Sequence, residues 1–370
     1  MLSRRAFLTS SLAALSIPTW ASALPIETNG ELFISAFSKS KTAHFIGAFG
    51  SNGKLRWSMP LPERAHAPVV HPTYSVIGAV ARRPGFYIDF FNPLSGKAIK
   101  RITPLTDHHF YGHAVFSKDG LQLITQENHY PTGQGKIVTR RWPDGEVLNE
   151  YSSGGIGPHE SVLMSDDTLV IANGGLQTHP DNDREIINLE TMKPNVTYLS
   201  LSDGRLINQA QHEDALHQLS IRHLDVTAQG TVALGFQYHG EPWEKVPLVA
   251  LSDVKSDHLD YIGMPDHVRT RFKQYCGSVC FDQSGETLAI STPRGGLVAY
   301  WDVPSKTFLG VDNCRDVCGL VATKHKHEFI LTSGTGKQLI SQPRQRKISQ
   351  INQLAEVHWD NHLKRLDLKI

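Results

Sequence analysis

The sequence lacks most of the signals that mark a common catalytic or nucleic-acid-binding domain. Its formal net charge is only +1 over 370 residues. So balanced a surface argues against a nucleic-acid partner, because neutralising phosphates needs a basic face. Beyond residue 23 no segment approaches the roughly 18 apolar residues that span a bilayer, so no stable membrane insertion is expected. The four cysteines fall into two Cys-x3-Cys pairs, Cys276/Cys280 and Cys314/Cys318. That is neither the C-x2-C of a zinc site nor the C-x-x-C-H of haem attachment. No G-x-S-x-G elbow, P-loop or H-E-x-x-H occurs. Gly154-Gly155-Ile156-Gly157 is followed by no helical pattern that could hold a phosphate. These absences point away from an enzyme.

What is present begins with a leader. Ser3-Arg4-Arg5-Ala6-Phe7-Leu8 puts an arginine pair before a modestly apolar stretch, and Ala21-Ser22-Ala23 follows as an A-x-A cleavage site. The pattern resembles the twin-arginine consensus. It implies passage through the twin-arginine translocase, a signal peptide at residues 1–23 and a periplasmic mature protein at 24–370.

Across the mature part, short runs of Val, Ile, Leu, Phe and Tyr alternate with turns such as Lys118-Asp119-Gly120 and Gln283-Ser284-Gly285. Almost nothing keeps a helical period, so the chain reads as all-β. Segments opening near His66, His113, His159, His223, Gly277 and Gly319 align, at a spacing of roughly 40 to 60 residues with four strands each, the signature of propeller blades. The region 31–62 holds about three strands, and the tail around Trp359-Asp360-Asn361-His362 supplies one more. Joined, they close a seven-bladed β-propeller, a single domain with WD40/YVTN-like features, and abolish both sheet edges.

The 19 histidines are not scattered at random. In a propeller the innermost strand of each blade lines the channel, so His66, His113, His159, His223 and His362 would meet at one mouth. Imidazole with carboxylate suits a borderline transition metal. His113, His159 and His223 are the candidate ligands, with Glu160 or His179 as a further ligand or a group orienting one. His66, His217 and His362 are candidate ligand-binding residues, as are Arg82, Arg222 and Arg294, whose guanidiniums suit a carboxylate or phosphate. At most one of His108 and His109 should join His113. The loop 178–194 could fold over the channel as a lid. The competing role for each histidine is a hydrogen bond packing one blade on the next. The cysteines could pair as Cys276–Cys318, or stay buried free thiols.

Several segments, among them Phe110-Tyr111-Gly112-His113, Gly157-Pro158-His159-Glu160, Ile221-Arg222-His223, Thr292-Pro293-Arg294-Gly295 and Trp359-Asp360-Asn361-His362, resemble a family of exported bacterial propellers of unknown function. Members of that family accompany imelysin-type lipoproteins in iron-acquisition gene clusters. The resemblance implies periplasmic iron handling, with iron as the metal and imelysin-like iron-uptake proteins as partners. A protein-interaction scaffold with structural histidines, and a lactonase-like or quinoprotein-like propeller enzyme, are the alternative functions.

Overall fold

β-Branched and aromatic runs such as Thr287–Thr292 and Leu297–Asp302 favour extended backbone, and the turns between them reverse the chain. At Lys118-Asp119-Gly120, the Gly120 N–H donates to Ser117 O at 2.9 Å and Gly120 takes φ +74°, which a side chain would resist. The computed structural model describes residues 30–368 except 74, 75, 166, 183 and 184, and the expected leader lies outside the described residues.

The strands form seven four-stranded antiparallel sheets, a seven-bladed β-propeller. The innermost strands are Ala65–Val70, His108–Phe116, Pro158–Leu163, Leu219–Val226, Ser278–Phe281, Val317–Ala322 and His358–Leu368. Each packs against the next around the ring. The blades are numbered here from the one built at both ends of the chain. In blade 1 the C-terminal strand His358–Leu368 is innermost and pairs with Gly30–Ser38, in register Leu32↔Leu366 and Phe33↔Arg365. The ring thus closes as the sequence implied, three strands from one end and one from the other. Trp359 anchors the closing strand, its ring 5.3 Å from Phe37 and 5.2 Å from Phe49.

Inner strands are buried, whereas outermost ones such as Val147–Ser152 and Lys347–Gln353 are largely exposed. Blades are also tied by polar contacts. His71 of blade 2 donates from Nε2 to Gly120 O of blade 3 at 3.0 Å, and Trp301 of blade 6 donates to Gly263 O at 2.7 Å. One detail departs from the sequence reading. A seven-residue helix, Asp266–Phe272, packs by its buried Val268 and Phe272. All four cysteines are buried free thiols, so the Cys276–Cys318 pairing is absent. Cys276 instead donates to Leu248 O and Cys318 to Asp316 O.

Candidate metal centre at the channel mouth

Six of the seven innermost strands break register against their neighbour. The breaks fall at Ala65/Ala67, Phe110/Ala114, Pro158/Glu160, Ile221/His223 and Val317/Leu320, and opposite Ser35/Phe37 in the closing strand. A bulge bends its strand and re-aims a side chain. Here the extra residues include His66, His113, His159 and His362, and His223 borders its break. All five imidazoles therefore turn inward and meet. Ring centroids lie 4.9 Å apart for His66–His113, 5.1 Å for His113–His159, 4.7 Å for His159–His223 and 4.8 Å for His223–His362. His66–His362 closes the circuit at 4.6 Å.

The ring admits five imidazoles because the other strands are slim there. Gly112 (φ +106°) precedes His113, and a Cβ on it would stand 2.7 Å from the His66 ring. Blade 7 contributes Gly319 and blade 6 contributes Ser278.

Glu160 organises two of the rings. Its Oε1 lies 3.2 Å from His113 Nδ1 and its Oε2 3.0 Å from His223 Nδ1. Burial alone would raise its carboxyl, but the two histidines outweigh that and hold it well below the usual range. Each Nδ1 thus carries its proton toward the carboxylate, and Nε2 is left as the free lone pair. A carboxylate orienting an imidazole in this way is the usual support of a metal-bound histidine. On the far side, Ser278 Oγ donates to Asn361 O and lies 3.3 Å from His362 Nδ1. The Nε2 atoms of His362 and His66 are 3.2 Å apart. Two nitrogens on one tetrahedral ion, each at about 2.0–2.1 Å from it, stand about 3.3 Å apart.

Burial first, and neighbouring imidazoles second, push His66 and His362 well below their ordinary value. For His159 burial again comes first, followed by Arg222. Burial brings His223 down to about 4 against the pull of Glu160. Burial thus keeps His66, His159, His223 and His362 neutral at pH 7, as metal ligation requires. His66 Nδ1, His113 Nε2 and His159 Nδ1 are buried without a protein hydrogen-bond partner. Two overlapping groups, His113-Glu160-His223-His362 and His66-His113-His159, place their ligand atoms within 4.8 Å of one another. A cavity of about 310 Å³ reaches the cage along the channel, lined by His113, Glu160 and His362 and by Asp225, Ser278 and Lys364.

Other singled-out residues lie elsewhere. His179 is outside the cage, 3.5 Å from Asp181 and 5.4 Å from the Tyr130 ring, so it supplies neither a ligand to these groups nor a contact to Glu160. Its loop leans on blade 3, where Asn128 donates to Thr178 O. Neither His108 nor His109 joins His113. The Nδ1–H of His108 donates to Thr106 O, and His109 contacts Phe110 O and Asn128. His217 bonds Asp214 O in the turn before Leu219–Val226. Arg82 acts electrostatically on His66, and Arg222 on His159 and His223. Arg294 lies 4.3 Å over the Tyr275 ring. His66 and His362, read from sequence as general ligand-binding residues, join the same imidazole cluster as His113. Tyr111 was missed, since a lone tyrosine beside a bulge carries no sequence signal.

The model of a family described as a protein of unknown function (DUF1513) matches residues 59–366. No curated protein matches the sequence. Among solved structures, the Kuenenia stuttgartiensis hydrazine synthase is similar at TM-score 0.59 and 12% identity, over 87% of this chain and 95% of that one. A chain of a mitotic checkpoint complex is similar at TM-score 0.56 and 11% identity, over 77% of this chain and 76% of that one. At such identities the likeness concerns the fold alone.

Proposed function

The chain belongs to the DUF1513 family of proteins of unknown function, and we propose that it binds one transition-metal ion in the imidazole cage at the centre of its propeller. The convergence of five buried histidines from five blades, two of them oriented by one carboxylate, carries this reading. A purely structural channel would be more stable filled with apolar side chains. Each buried ring nitrogen left without a partner costs about 1–3 kcal/mol, and one ion satisfies several together. His113 and His223 through Nε2, with His362, form the primary donor set. His66 and His159 stand close enough to complete or exchange with it.

Imidazole suits iron as well as zinc and copper. The proposal includes iron as the biological metal, a periplasmic setting and partnership with iron-uptake proteins. The donor set, the family resemblance and the Ser3-Arg4-Arg5 leader support these elements. The test is metal titration of the purified protein with Fe(II), Zn(II) and Co(II), wild type against His113→Ala/His159→Ala. One equivalent bound by the wild type, weakened by about 100-fold or more in the variant, is the expected result. No metal-dependent signal in either protein overturns it.

A further inference from the structure

Arginines gather around the imidazole cage, Arg82 and Arg83 just after Ile77–Ala81, Arg222 next to His223 and Arg294 just after Thr287–Thr292. Arg83 and Arg222 are both at least nine-tenths buried, and both act on the Tyr111 hydroxyl, with Arg83 5.9 Å over its ring. Arg222, Arg83 and Arg294 are the charges acting on His239, in that order of strength. Arg82 acts on His66. These residues come from blades 2, 5 and 6, so the ring, not local sequence, assembles the cationic layer. Among them lie neutral polar groups. Tyr111 is 1% exposed and its hydroxyl has no protein partner, and neither does His239 Nε2.

Such a layer repels a bare cation approaching from that side and attracts an anion. Guanidiniums match the planar oxygens of carboxylate and phosphate, and a buried tyrosine hydroxyl adds a donor at a fixed position. Arg222, next to His223 in the chain, links the arginines to the cage, acting on His159 and His223 and also on Tyr111 and His239.

We infer that the mouth formed by Arg82, Arg83, Arg222, Arg294, Tyr111 and His239 binds a small oxyanion, and that this anion reaches the caged metal as a co-ligand. The oxyanion site stands on the arginine layer, and only the co-ligand role rests on the metal reading. The cargo is therefore a metal held with an anionic chelating group rather than the free aquo-ion.

The experiment is calorimetric titration of malonate, and separately of inorganic phosphate, at constant ionic strength. It uses wild type, Arg222→Gln and Arg294→Gln, each metal-free and loaded with Co(II). At least one anion should bind the wild type and bind Arg222→Gln about ten-fold or more weakly, while Arg222→Gln still takes up one Co(II). Binding of malonate alone identifies a carboxylate, of phosphate alone a phosphate. A change in the Co(II) absorption spectrum on adding the anion establishes co-ligation, and an unchanged spectrum overturns that role. Should Arg222→Gln not fold, the exposed Arg294→Gln gives the same reading with a smaller loss. Equal affinity in the wild type and both variants, or no binding of either anion to any form, overturns the site. Arginine-dependent anion binding without metal uptake keeps the oxyanion site and removes the metal reading instead.

Discussion

The Nε2 atoms of His66 and His362 face each other at 3.2 Å although 296 positions separate them in the chain. At that spacing one ring must donate to the other, or both must share an ion. His362→Ala should therefore weaken Co(II) or Zn(II) binding by about ten-fold or more with the propeller intact. His71→Ala is the control. It removes a hydrogen bond between blades 2 and 3, lowers stability by about 1–2 kcal/mol and leaves metal affinity unchanged. Metal titration with urea unfolding separates the two, and equal metal loss in both variants contradicts the cage.

Glu160 accepts from two imidazoles with two oxygens. In Glu160→Gln only one oxygen remains, and the amide N–H2 faces an Nδ1–H. One ring must then change tautomer and turn its proton toward the channel. Metal affinity should fall about 10- to 100-fold, and the metal-free protein should lose about 1–3 kcal/mol. Proton NMR of the imidazole N–H resonances would show the altered tautomer. Unchanged spectra and affinity would remove the orienting role.

Acid should unfold this protein early. Burial brings His212 and His223 down to about 4 and holds His66, His159 and His362 well below the ordinary value. In the unfolded chain each returns to about 6.5. Below that value the unfolded state binds protons that the folded state refuses, so stability is full above about 6.5 and falls toward about 4. The loss is on the order of 3 kcal/mol each for His212 and His223 by pH 4. Urea midpoints measured from about pH 7.5 to about 4.5 should decline steadily; a flat profile contradicts neutral buried rings.

Trp359 holds the closing strand against Phe37 and Phe49. Trp359→Ala should cost about 3–5 kcal/mol. Because His362 rides on the same strand, metal affinity should fall with it, although no donor is removed. Thermal melts with and without Zn(II) read both effects, and a destabilised variant with full affinity would separate the strand from the cage.

The blade period, the turns and the closing tail were legible because each recurs at a fixed spacing or joins the two ends. The convergence of His66, His113, His159, His223 and His362 was legible for the same reason, since each sits on a different innermost strand. The bulges that aim them were not. They arise from pairing with a neighbouring strand, and nothing in Pro158-His159-Glu160 alone says that His159 is the extra residue. Glu160's double contact joins blades 3, 4 and 5, which only the closed ring brings together. His179 misled because its loop leans toward Tyr130 and away from the axis.

One imidazole of the cage, His362, rides on the strand that closes the ring. Any fragment ending before residue 362 lacks that imidazole, and a captured ion would tie the closing strand to the innermost strands beside it like a latch. Stripping it would loosen the molecule first at the seam between Gly30–Ser38 and His358–Leu368.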